Sequence, residues 1–138
     1  MPFNDLLAAN AAYAATIGHR QLERQARAGV CILTCMDCRI DPLPMVGLEF
    51  GDAKVLRTPG GHLGPQSLVG CVLAVHLLGV NRIMVVSHTK CAASGTEARL
   101  REAISASSGV AAIDMVFGAD SDRLGHLIAD VAALRAHE

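Results

Sequence analysis

The fold is decided by residues 30–39, which read VCILTCMDCR. The first half of this stretch is a continuous apolar run without polar alternation, which is typical of a strand buried on both faces of a parallel sheet. Cys35, Asp37 and Arg39 follow at its carboxyl end. Ligands of open parallel sheets bind at that end of the strands, where strand order reverses. The stretch therefore predicts a buried strand with a functional site at its tip.

Two further apolar runs, residues 54–56 and 82–87, predict the other strands. A helix is expected between them over residues 64–78, because Pro65 stands near its first position and Gly79 follows its last. Strands that alternate with helices indicate an α/β layer fold with a parallel sheet.

The last third of the chain predicts two helices. Ser94 and Glu97 have the spacing of a capping box, so one helix should run from there to about Ala106. A final amphipathic helix is indicated by apolar residues that repeat at helical spacing, namely Leu124, Leu127, Ile128, Val131 and Leu134.

Length and composition indicate one domain, residues 1–138, since the chain has 138 residues and is 51% hydrophobic. Residues 1–28 form its N-terminal arm. The arm is rich in Ala, Leu and Gln and predicts a helix over residues 4–28, with Asn4 as its cap and Gly29 at its end. Its apolar residues are mostly small, so we expect the arm to lie across a neighbouring subunit.

Charge and cysteine content exclude several classes of protein. The net charge is −1, no cluster of basic residues stands out, and there is one Tyr and no Trp, so a nucleic-acid partner is not expected. No apolar run reaches the ~20 residues of a membrane span, so no membrane partner is expected either. Five cysteines with no export signal favour reduced thiols and a cytoplasmic protein.

The cysteines and histidines at two strand ends predict a metal site. Cys35 ends the first apolar run, while His88 and Cys91 follow the third. These residues meet if the first strand lies between the other two. Thiolate and imidazole are preferred ligands of zinc, and three protein ligands leave a fourth position for water, as in catalytic sites.

Cys-x-Asp-x-Arg at Cys35, Asp37 and Arg39, followed by His-x-x-Cys at His88 and Cys91, resembles the signature of the β-carbonic anhydrases. The resemblance extends through the order of strands and helices from about residue 29 to residue 135. It implies a three-layer α/β domain with a short, mostly parallel sheet flanked by helices. It further implies a zinc lyase that interconverts carbon dioxide and bicarbonate through zinc-bound hydroxide, as a homodimer or higher homo-oligomer.

The resemblance also assigns roles to residues beside the metal. Asp37 would accept a hydrogen bond from the zinc-bound hydroxide while Arg39 holds its carboxylate. In some members the aspartate moves onto the zinc, so Asp37 is also a possible fourth ligand in a closed form. Gly60 and Gly61 match a glycine pair that lines the substrate pocket in the family.

The chain departs from the family pattern in several places. Pro59 removes an amide donor beside the glycine pair. Lys90 replaces an acidic residue, and Ala92 replaces a glycine and would be strained at positive φ. The usual strand after the last helix is also expected to be missing.

Several alternatives remain open from the sequence. One is hydrolysis of carbonyl sulfide or carbon disulfide on the same scaffold, and another is a non-catalytic zinc-binding homologue. Cys38 could join Cys35 in a closed structural or redox Cys-x-x-Cys site. His62 is either a loop residue or a proton relay. The remaining cysteines and histidines have structural interpretations: core for Cys31 and Cys71, a buried helix for His76, and surface for His19, His126 and His137.

Overall fold

The computed structural model describes residues 3–18, 22–110 and 115–137. These residues form four α-helices and three strands, which in chain order are α1 (Asn4–Ile17), β1 (Val30–Cys35), β2 (Ala53–Thr58), α2 (Pro65–Leu77), β3 (Arg82–Val86), α3 (Glu97–Ser108) and α4 (Arg123–Arg135). No helix in these ranges has both the length and the apolar character needed to cross a membrane.

The three strands form a parallel sheet in the order β2-β1-β3, so the first strand is central, which is the condition for Cys35 and His88 to meet. All six residues of β1 are buried. The flanking strands are less covered than the sequence predicts, because Val55 and Met84 are exposed to 36% and 44%. Burial on both faces therefore holds for β1 alone.

One face of the sheet carries the main core. Cys31 of β1 packs there with Cys71 and Ala74 of α2, and Leu134 of α4 packs against this cluster. The predicted positions of α2 and α4 are confirmed. Within the single chain α2 buries one side, and its Val69 is 54% exposed; because its sequence is apolar all round, we expect a neighbouring subunit to cover the exposed side. The α/β class and the parallel sheet flanked by helices are nevertheless confirmed.

The N-terminal helix is shorter than predicted. It ends at Ile17, with Gly18 as the capping residue, so the prediction of a helix to residue 28 is wrong. Glycine is unfavourable inside a helix by about 1 kcal/mol, and residues 24–28 contain a bend and a turn rather than helix. Phe3 rather than Asn4 is the N-cap, and no side chain caps the helix. None of the residues of α1 is buried.

The start of α3 also differs from the prediction. Thr96 is its N-cap and accepts a hydrogen bond from the Arg99 amide at 3.2 Å, so the capping box at Ser94 and Glu97 is wrong. Glu97 instead accepts hydrogen bonds from the amides of Phe117 and Ala119 at 3.1 and 2.9 Å. These amide contacts lower the pKa of Glu97. Its carboxylate thereby ties a distant loop to the first turn of the helix.

Candidate metal centre

Cys35, His88 and Cys91 meet at the carboxyl ends of β1 and β3. Cys35 is the last residue of β1, and the other two lie in the loop after β3. Their ligand atoms all lie within 4.8 Å of one another. The sulfurs of Cys35 and Cys91 are 3.8 Å apart. Two sulfurs at ~2.3 Å from a tetrahedral zinc would also be about 3.8 Å apart, so the spacing suits a metal rather than a disulfide.

The orientation of His88 also fits a metal ligand. Its Nδ1 lies 2.9 Å from the carbonyl oxygen of Thr89. Since a carbonyl can only accept, Nδ1 carries the proton and Nε2 presents its lone pair. Nε2 is buried and has no hydrogen-bond partner among the described residues. A buried nitrogen of this kind is costly unless a cation or another partner satisfies it.

The surroundings of Cys91 disfavour its thiolate form. Burial raises the pKa of the Cys91 thiol, with the nearby Cys35 and Asp37 adding to the effect. A bound divalent cation reverses this preference, because it stabilises the thiolate. Cys38 is exposed and does not belong to the cluster that Cys35 forms, so the described geometry does not assemble the alternative Cys-x-x-Cys site.

Asp37 and Arg39 form a clamp at the edge of the ligand cluster. The Arg39 guanidinium donates from Nε to Oδ1 at 2.9 Å and from Nη2 to Oδ2 at 2.7 Å, and the Arg39 amide donates to Oδ1 at 2.9 Å. These hydrogen bonds hold the pKa of the Asp37 carboxyl well below its usual range. Oδ2 also lies 3.9 Å from Nε2 of His88. Asp37 is therefore an ionised acceptor beside the cluster of Cys35, His88 and Cys91.

The same arginine joins the loop after β1 to the loop after β3. Nη2 of Arg39 donates to the carbonyl of Lys90 at 2.9 Å. Lys90 has φ of 54°, which makes it the one non-glycine residue in the described ranges with a left-handed backbone. The strain expected at Ala92 is therefore found at Lys90 instead. This left-handed backbone points the Lys90 carbonyl toward Arg39. The contact therefore fixes the short segment between His88 and Cys91.

Arg57 supports the first loop, a role that the sequence did not reveal. Its Nε donates to the carbonyl of Cys35 at 3.0 Å, and its Nη2 donates to the carbonyls of Asp37 and Ile40. The available signal was its position near the end of the strand beside Cys35, because parallel strands bring such ends together. Arg57 thus satisfies loop carbonyls that the sheet cannot reach.

Gly60 and Gly61 lie in a 3-10 turn, Pro59–Gly61, that packs against the ends of β1 and β3. Both glycines are buried and have φ of 70° and 78°. A Cβ on Gly61 would stand 3.0 Å from the amide nitrogen of Cys35 and 3.1 Å from the carbonyl oxygen of Val86. Only glycine permits this close approach, so the pair positions the loop beside the ligands.

The remaining cysteines and histidines fall into three groups. Cys31 and Cys71 are buried core residues, as predicted. His76 is exposed rather than buried, and His137 is exposed as predicted, whereas His19 lies outside the described residues. His62 lies in the loop after the glycine pair and His126 is exposed, both as predicted, yet the two rings contact each other and both approach the carboxylate of Asp120.

Comparison with known proteins agrees with this geometry. The family model described as carbonic anhydrase matches residues 30–117. A carbonic anhydrase of Streptococcus mutans superposes with a TM-score of 0.84 at 32% identity, over 98% of this chain and 82% of that chain.

Two curated relatives match shorter segments. β-Carbonic anhydrase 1 of Mycobacterium tuberculosis is 32% identical over 62 residues, which is 45% of this chain and 38% of the relative. Carbon disulfide hydrolase of an Acidianus strain is 33% identical over 60 residues, which is 44% of this chain and 29% of the relative. The matched segments thus span well under half of those relatives. From the family match, the fold and the assembled cluster, we conclude that the chain belongs to the β-carbonic anhydrase family.

Proposed function

We propose that this protein is a zinc-dependent carbonic anhydrase that interconverts carbon dioxide and bicarbonate. One observation carries the proposal: two cysteines and a histidine converge, and an ionised aspartate clamped by an arginine stands at their edge. A structural zinc site needs only its ligands. An ionised carboxylate held beside the metal is needed only if it orients a small molecule that reacts there, so its presence favours an enzyme over a structural zinc site.

Cys35, His88 and Cys91 would hold the zinc, which favours such mixed sulfur and nitrogen ligands. The metal would supply Lewis acidity that lowers the pKa of a coordinated water toward ~7. The chain supplies the lone pair of His88 Nε2, which the Thr89 carbonyl orients by accepting from Nδ1. The unpartnered state of that nitrogen supports a metal at this place.

Asp37 would orient the reacting oxygen by accepting its proton in a hydrogen bond. The carboxylate stays ionised because Arg39 opposes it, which suits an acceptor rather than an acid. Both carboxylate oxygens are held by Arg39, and this favours the open form over the form in which Asp37 is a fourth ligand. Gly60 and Gly61 would form part of the pocket wall, because they pack against the strand ends that carry the site.

Hydrolysis of carbon disulfide is the second candidate function. It is favoured by the similarity to a carbon disulfide hydrolase, which is 33% identical over 60 residues. The curated β-carbonic anhydrase is 32% identical over 62 residues, so sequence identity does not separate the two functions. Carbonyl sulfide is an intermediate case, since all three molecules are linear and carry an electrophilic carbon. Carbon dioxide remains the first proposal because a carbonic anhydrase superposes over 98% of this chain at 32% identity with a TM-score of 0.84.

We also propose a homodimer, or a multiple of one, in the cytoplasm. Helix α1 has no buried residue, and its Leu6, Leu7 and Tyr13 are more than half exposed. A helix of this length is marginal in water without a packed face, so a second subunit is the natural partner for it. The five cysteines are free, which supports a reducing compartment.

The first prediction concerns the metal ligands. We expect Cys91→Ala to lose zinc and to reduce carbon dioxide hydration to the uncatalysed rate, because two ligands do not retain a catalytic zinc. Cys38→Ala is the matched control, since Cys38 is exposed and outside the cluster. Stopped-flow hydration assays and zinc analysis check both variants. If the zinc-loaded chain is inactive on carbon dioxide, the same assay with carbon disulfide decides between the hydrolase and a non-catalytic homologue.

The second prediction concerns the clamp. We expect Arg39→Ala to reduce kcat by about 10²-fold, because Asp37 loses the guanidinium that positions it. Arg39→Lys should recover little, since an ammonium group cannot form the two-pronged contact. In the Co²⁺-substituted protein, Arg39→Ala should also weaken anion binding, as expected if Asp37 moves onto the metal. Arg24→Ala is the surface control. A retained kcat in Arg39→Ala would contradict the proposed role of the clamp.

The third prediction concerns the arm. Leu7→Glu in α1 should shift the protein from dimer toward monomer in sedimentation analysis, because it places a charge on an apolar surface that we propose to be covered. Leu124→Glu in α4 is the matched control, as the two leucines are exposed to 64% and 65% in the single chain. Equal behaviour of the two variants would argue against the arm as the interface.

A further inference from the structure

A second group of metal-ligating side chains lies outside the site described above. It consists of His62, Asp120 and His126, whose ligand atoms all lie within 4.8 Å of one another. Nε2 of His62 is 3.5 Å from Oδ2 of Asp120, and Nδ1 of His126 is 2.9 Å from Oδ1 of the same carboxylate. Nitrogen and oxygen ligands at ~2.0–2.1 Å from a tetrahedral ion stand about 3.3–3.4 Å apart, and the separation of His62 from Asp120 is close to that value. The contact between His126 and Asp120 is shorter and lies at hydrogen-bonding distance, so an ion would have to displace the proton on Nδ1 of His126 and move these two groups slightly apart.

The lone pair of His62 is directed toward this group. Nδ1 of His62 lies 3.4 Å from Oδ2 of Asp130, and an ionised carboxylate can only accept, so this contact places the proton on Nδ1. Nε2 is then an acceptor, and it is buried without a hydrogen-bond partner among the described residues. A carboxylate behind an imidazole whose other nitrogen is free is the arrangement that supports metal-bound histidines.

The carboxylates around this cluster are held in place. Asp130 also accepts from the amide of Leu63 at 3.1 Å, and Asp120 accepts from the amide of Asp122 at 2.9 Å. Within the described ranges neither carboxylate pairs with a lysine or arginine, in contrast to Asp37 and Asp52. The site therefore combines two imidazoles with two carboxylates and has no fixed cation of its own. Negative charge with nitrogen ligands favours a divalent cation.

We propose that His62, Asp120 and His126 form a second binding site for a divalent first-row transition-metal ion. Two imidazoles and one carboxylate suit zinc, cobalt, nickel or iron rather than calcium or magnesium, which prefer oxygen ligands. Asp130 is the positioning residue that orients His62. The side chain of His126 is about half exposed, which leaves the ion accessible from solvent.

The position of this site indicates a structural role. His62 directly follows the glycine pair, and Asp120 pairs with the loop that follows Cys91, accepting from Gly95 and donating its amide to the carbonyl of Ala93, each at 2.9 Å. His126 lies in the first turn of α4. An ion here would therefore cross-link three separate segments, two of which adjoin the first metal centre. It would stabilise the folded state, because the unfolded chain does not bring these ligands together.

The test is a Co²⁺ titration of the full-length chain, with zinc stoichiometry measured in parallel. The first equivalent should give the near-ultraviolet charge-transfer band of cobalt thiolates. A second equivalent should add visible absorption without that band and should raise the melting temperature further. His126→Ala and Asp120→Asn should each lose only the second step. His76→Ala is the matched control, because His76 is an exposed histidine of α2.

The outcomes separate this site from the first one. Two steps in the parent chain, reduced to one in both variants, support the proposal whatever the enzymatic activity proves to be. Saturation of the parent chain after one thiolate-type step in excess Co²⁺ would overturn it and would leave a histidine-carboxylate ion pair only. Retention of the second step in both variants would overturn it equally, because the ion would then lie elsewhere.

Discussion

The parallel pairing of β1 with both neighbours is the constraint on which the rest of the molecule depends. Its register sets Cys35 beside Thr58 of β2 and Thr34 beside Val86 of β3. Since all three strands run the same way, the loops that follow them emerge together at one edge. Cys35 at the end of β1, together with the loop residues His88 and Cys91, the clamp and the glycine pair, lies at this edge. The burial of β1 then fixes this edge, because a change of register would expose its apolar side chains.

Arginine contacts join the end of β2 and the loops after β1 and β3 into one site. Arg57 binds carbonyls of the loop after β1, while Arg39 joins that loop to the Lys90 carbonyl after β3. Each guanidinium offers several donors in a fixed plane, so one side chain can satisfy groups from two segments. Asp37 is ionised as a consequence of this arrangement rather than of a distant field. Arg39 therefore both keeps Asp37 ionised and holds the loop after β1 against the loop after β3.

The sequence predicted those features that rest on local patterns. The apolar run at residues 30–34, Pro65 before α2 and the helical repeat of α4 each have a signal within a few residues, and the structure has all three elements. The sequence also predicted that Cys35, His88 and Cys91 meet at the strand ends on the condition that β1 is central, and the structure has that strand order.

The errors arise where distant contacts override local preference. Glu97 has the spacing of a cap partner, yet its carboxylate binds amides about twenty residues later, which the sequence does not reveal. Helical composition continues past Gly18, but the described chain beyond it turns to bury Ala26. His62 and Asp120 are far apart in sequence and meet only because the loop after Cys91 pairs with the segment before α4.

The central claim is that two thiolates and one imidazole hold a single metal and leave a position for an exchangeable ligand. X-ray absorption at the zinc edge tests it most directly, using His126→Ala loaded with one equivalent of zinc so that the second cluster does not contribute. We predict two sulfurs at about 2.3 Å and two nitrogen or oxygen neighbours at about 2.0–2.1 Å. Three sulfurs, which would bring Cys38 into the site, or a shell without sulfur would contradict the account.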